Sequence, residues 1–63
     1  GRFNITSDFD RIKVDIYSAF GEKIFSRDVP GKTVINISDH ARGTYFIRLE
    51  TPAGVFYDKI ISY

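Results

Sequence analysis

Ser38-Asp39-His40 spells the side chains of a hydrolase triad in three consecutive positions. A triad works only when nucleophile, base and orienting carboxylate converge from separate elements beside an oxyanion hole. Neighbouring residues point apart, so these three cannot pass a proton along. Ser and Asp followed by Arg42-Gly43 is turn chemistry. We expect a surface turn there and no catalytic residue in the chain. His40 is the single His, and there is no Cys. That excludes thiolate sites and disulfides, and a His-based metal site would have to gather scattered carboxylates. Asp8, Asp10 and Asp15 offer oxygens, but a Ca²⁺ cage takes ~6–8 ligands and a loop glycine that this stretch lacks. They read as structural carboxylates, Asp8 and Asp10 in a turn and Asp15 on the wet face of a strand. No metal and no cofactor is expected.

Two weaker patterns remain. Asn4-Ile5-Thr6 and Asn36-Ile37-Ser38 satisfy the N-glycosylation pattern, but both fall in predicted strands, and coincidence explains them. Tyr17 and Phe46, with Lys13 and Arg48, could form a stacking platform for sugars or single-stranded nucleic acid. Cross-strand packing on a domain too small to cover its apolar area is the preferred account of them. The absence of Trp weakens the sugar reading.

Whatever these residues do, the elements that position them are strands. Val, Ile and Thr number 17 and aromatics 10, against 4 Ala and Leu. β-Branched and aromatic side chains suit a pleated, half-buried surface. Sixty-three residues make one small domain near the lower limit for a self-supporting core. The chain opens on Gly1 and contains no Met, so we expect residues 1–63 to be a single module cut from a longer protein. Nine basic against eight acidic residues, interspersed, argue against nucleic acid as a partner. No run approaches the ~20 apolar residues of a membrane span, so direct membrane insertion is not expected.

Gly21, Gly31, Gly43 and Gly54 recur 10, 12 and 11 residues apart, each in a polar or proline-bearing gap. That spacing is typical of turns in an antiparallel sandwich or barrel. It predicts strands over Arg2–Thr6, Arg11–Ser18, Glu22–Asp28, Lys32–Ile37, Thr44–Glu50 and Val55–Ser62. Ile12, Val14 and Ile16 alternate with Lys13, Asp15 and Tyr17, one face buried and the other wet. Tyr45, Ile47 and Leu49 should complete the core of a two-sheet sandwich, with Phe46 and Arg48 outside. Gly21 and Gly54 are expected to supply left-handed turn positions. Gly43 should join the Asp39–Arg42 turn to the next strand with a positive φ or a close backbone approach. Ile60 and Ile61 are adjacent, so the faces of the last run stay unassigned.

The order of these pieces resembles the type A C-terminal sorting domain of the bacterial type IX secretion system. Val14-Asp15-Ile16-Tyr17 matches its V-x-I-Y strand, with Phe20-Gly21 and Lys23-Ile24-Phe25 following. Ile35-Asn36-Ile37-Ser38 matches a short I-x-[LIV]-S segment, and Gly43-Thr44-Tyr45 a Gly-x-Tyr strand. Lys59-Ile60-Ile61 matches the closing Lys before two apolar residues. Two departures are the lack of an Asn-Pro before the first strand and Ser62-Tyr63 where a further Lys is common.

The resemblance implies a small immunoglobulin-like antiparallel β-sandwich of about six to seven strands. It implies a non-enzymatic secretion signal, carrying an attached cargo across the periplasm to the cell surface or medium of a Gram-negative bacterium. The implied partners are the translocon, its shuttle and a sortase, with cleavage upstream of Gly1. Gly43, Tyr45, Arg48, Lys59, Ile60 and Ile61 are the sorting-motif candidates. Two other classes compete: an immunoglobulin- or fibronectin-like accessory module binding carbohydrate or a cell-surface ligand, and a small nucleic-acid-binding barrel, which would be retained on a polyanion in a salt-dependent way.

Overall fold

The computed structural model describes residues 2–62 as four antiparallel strands in one sheet. They are β1 (Arg2–Ser18), β2 (Lys23–Asn36), β3 (Gly43–Thr51) and β4 (Gly54–Ser62), in the order β2-β1-β3-β4. The chain is all-β, as its composition predicts. The expected count of six strands becomes four, because two of the expected turns do not turn. Ser7–Asp10 stays within β1, and Val29-Pro30-Gly31 within β2.

Between those segments the pairing slips. Thr6 is opposite Lys32 and Arg11 is opposite Pro30, so four residues of β1 face Gly31 alone. Three extra residues, an odd number, reverse the side-chain phase of a period-two strand. Phe3 and Ile5 therefore face the core from odd positions, and Ile12, Val14 and Ile16 from even ones. The bulge also bends the strand. Straight, 17 residues would span ~56 Å, yet the longest dimension of the molecule is 30 Å. Ile5, Ile35 and Ile37 thus share one core with Ile12, Val14, Ile16, Tyr45 and Ile47. Leu49 is half-buried at its margin.

At Gly31 the backbone of the β1 bulge presses close against β2. A Cβ there would collide with the Phe9 carbonyl oxygen and lie 2.6 Å from Ser7 Oγ. Ser7 ties the bulge down, its hydroxyl donating to the Gly31 carbonyl at 2.9 Å and accepting from the Phe9 N–H at 3.3 Å. Close approach, not a turn, is the reason for this glycine. The real turns lie elsewhere. Ser18–Gly21 closes β1 to β2, with Gly21 at φ 86° and its N–H donating to the Ser18 carbonyl at 2.9 Å. Pro52-Ala53 joins β3 to β4, with Gly54 at φ 132°.

Candidate functional site

The outer face of the sheet, away from the core, carries rows of side chains set by register. One row runs Ser26, Asp15, Arg48, Tyr57 from β2 to β4. The next runs Lys23, Tyr17, Phe46, Lys59.

Asp15 departs from the wet position its alternation implies: it is 2% exposed. It does face outward, but its neighbours close over it. Ser26 Oγ donates to Asp15 Oδ1 at 2.5 Å, Arg48 Nη1 lies 3.4 Å from Oδ2, and Lys23 Nζ lies 3.9 Å from Oδ1. The Ser26 hydrogen bond holds the Asp15 pKa below its usual value, against the opposing effect of burial, with Lys23, Lys13 and Arg48 adding to the lowering. Arg48 in turn reaches Glu50 Oε1 at 3.2 Å. Tyr57 and then Glu50 raise its pKa. Arg48 therefore points outward but serves as a lid on a buried carboxylate.

Lys59 differs. It stands on β4 opposite Phe46, exposed, and its ammonium makes no ion pair among the described residues. Ile60 turns inward against Tyr45 and Ile61 outward opposite Thr44, which settles the faces of the last strand. Tyr45 is buried, its hydroxyl donating to the Ala41 carbonyl. Gly43 opens β3 opposite Ser62 at φ 142°, with nothing within 4 Å of an added Cβ. Its restraint is conformational. Sequence reasoning missed how much apolar surface β4 displays: Val55, Phe56, Tyr57 and Ile61 are all exposed.

The remaining candidates separate. Tyr17 and Phe46 are register partners, with Lys23 Nζ 5.7 Å above the Tyr17 ring, whereas Lys13 lies four residues away along β1, opposite Glu50. Ser38, Asp39 and His40 lie in an exposed turn, where the His40 N–H donates to the Ile37 carbonyl at 3.0 Å. Asn36 Oδ1 accepts from the Ser38 N–H and hydroxyl. Asp8 and Asp10 sit on the β1 bulge rather than in a turn, and no group of three metal-ligating side chains occurs among the described residues.

The chain matches the family model described as "Secretion system C-terminal sorting domain" over residues 1–63. It belongs to that family. No curated protein and no solved structure matches it. The sorting domain is a C-terminal signal for type IX secretion, engages that machinery, and directs export toward the cell surface or medium of Gram-negative bacteria. Its family consists of signals, not enzymes.

Proposed function

We propose that the sorting domain is a single folded module of a longer secreted protein, recognised through its β3–β4 hairpin. In this reading the bent sheet acts as the compact, sandwich-like body of the signal, the two halves of the β1–β2 hairpin lying over one core. Gly43, Tyr45 and Ile60 shape the hairpin from within. Lys59 and Ile61 are the side chains offered to a receptor, and Arg48 holds the surface beneath them flat. The translocon and its shuttle are the receiving parts, met after transit through the periplasm, and a sortase acts upstream of Gly1.

The observation that carries this reading is the contrast between two cations on one face. Arg48 is engaged by Asp15 and Glu50, whereas Lys59 makes no ion pair among the described residues. A displayed charge on an exposed strand is available to a partner without breaking internal structure. The test is a periplasmic reporter fused to the domain in a host with the system, scored by cell fractionation. Wild type should deliver the reporter to the surface, and Lys59→Ala should leave it in the periplasm while the domain stays folded. Normal delivery by the folded variant would remove Lys59 from the recognised surface.

A further inference from the structure

The two edges of the sheet are not alike. β2 is guarded: its pairing with β1 is irregular at Ile24 and at Gly31, it contains Pro30, and Lys23, Arg27, Asp28 and Lys32 are exposed along it. Charges, proline and bulges are how edge strands avoid pairing with foreign strands. β4 has neither proline nor bulge. Its register with β3 runs unbroken from Gly43↔Ser62 to Thr51↔Gly54. It pairs with no other strand among the described residues, and Val55, Phe56, Tyr57 and Ile61 are exposed along it.

The turn fixes which backbone groups the open edge presents. Thr51 and Gly54 close a two-residue loop, so they are a hydrogen-bonded pair, and the pairs alternate from there. The N–H and C=O groups of Val55, Tyr57, Lys59 and Ile61 therefore face outward. One of these is covered: Asp58 Oδ1 accepts from the Lys59 N–H at 2.8 Å. Asp58 is opposite Ile47, on the core-facing side with Phe56 and Ile60, yet it is exposed. A charge on the inward side of an edge strand is a known guard against association.

We propose that β4 is a docking strand for one extended segment of another protein, and that Asp58 keeps it from pairing with a second copy of this chain. Two copies meeting antiparallel keep like faces on the same side, so only even slips are possible. Full overlap of Gly54–Ser62 sets Asp58 directly against its own copy, in the pair where side chains are closest. A two-residue slip one way sets Lys59 against Lys59. The opposite slip sets Phe56 against Asp58 and Val55 against Lys59. Every long register therefore opposes like charges or buries a charge on an apolar neighbour. A partner strand with a cation opposite Asp58, an acid opposite Lys59 and apolar residues opposite Val55, Phe56, Ile60 and Ile61 meets neither obstacle.

The proposal deepens the export reading by naming the chemistry of what receives β4. Its test uses the purified 63-residue chain, so its failure is separable from failure of the reporter assay. The probe is the peptide Thr-Val-Val-Glu-Lys-Thr-Val-Val-Thr, which pairs antiparallel with Glu against Lys59 and Lys against Asp58. The control exchanges its Glu and Lys. The wild type should sediment as a monomer and bind the probe about ten-fold more tightly than the control. The double variant Asp58→Lys, Lys59→Glu should reverse that preference. Asp58→Thr and Asp58→Asn, folded by circular dichroism, should dimerise with β4 amides protected from exchange. Equal or absent binding of the two peptides would overturn the proposal, as would a wild type that dimerises through β4 or Asp58 variants that remain monomeric.

Discussion

The Asp15 carboxylate accepts from Ser26 at 2.5 Å and faces two cations, so its ionised form is favoured in the folded state. Its folded pKa lies below the 3.8 of the free side chain. The stability it contributes is therefore complete above that unfolded value and is lost as pH falls through the lower folded value. Asp15→Asn should lower stability at neutral pH by about 1–3 kcal/mol, since Arg48 and Lys23 lose their shared acceptor charge. The deficit should shrink at acid pH, once the wild-type carboxyl is neutral as well. Urea midpoints at the two pH values check this, and a deficit independent of pH would show that charge is not the cause. None of it was legible along β1. Alternation reports which face a residue takes, and it placed Asp15 on the outer face. Burial there depends on Ser26, Arg48 and Lys23, brought alongside by register with other strands.

At the scale of elements, alternation in Arg11–Ser18 and Thr44–Glu50 was readable because each stretch keeps one phase. The break at Ser7–Asp10 looks in sequence like any polar turn. Only the partner strand shows that the chain stays paired on either side of it, merging six expected strands into four. Gly31 carries that bend. Gly31→Ala must push the Phe9 carbonyl and Ser7 aside, with an expected cost of about 1–3 kcal/mol. Gly43→Val should cost a similar ~1–3 kcal/mol for another reason: φ 142° is strained for a side chain even in open space. Chemical denaturation separates the two mechanisms. Gly43→Ala should retain most of the Gly43→Val penalty, because the strain belongs to the backbone. Ser7→Ala, which removes the bulge tie, should soften the clash in Gly31→Ala by vacating one of the atoms it meets. If Gly43→Val melts with wild type, or if Ser7→Ala leaves the Gly31→Ala penalty unchanged, the corresponding account fails.

For the whole molecule, eight buried apolar side chains among the described residues hold a sheet bent around a single core. A chain of this length has a stability of only ~3–9 kcal/mol, so any surface residue with a structural duty is felt globally. This separates the two outer-face cations that sequence alone treats as equivalent. Arg48 and Lys59 both read as displayed charges on the last two strands, and the sequence contains no sign that one of them covers Asp15. Arg48→Ala uncovers a carboxylate that is 3% exposed and leaves Lys23 and Ser26 to hold it. The whole domain should therefore melt at a lower temperature, and more so at neutral than at acid pH. Lys59→Ala removes a side chain with no ion pair among the described residues, and its stability should stay within about 0.5 kcal/mol of wild type. Export defects then sort by cause. A defect in Arg48→Ala that recovers when the domain is stabilised elsewhere comes from unfolding. A defect in Lys59→Ala at unchanged melting temperature comes from lost contact with the machinery. Thermal melts of the two single variants, run beside the fractionation assay, decide it; a Lys59→Ala domain that melts well below Arg48→Ala would mean that the lysine is structural and the displayed charge lies elsewhere on the hairpin.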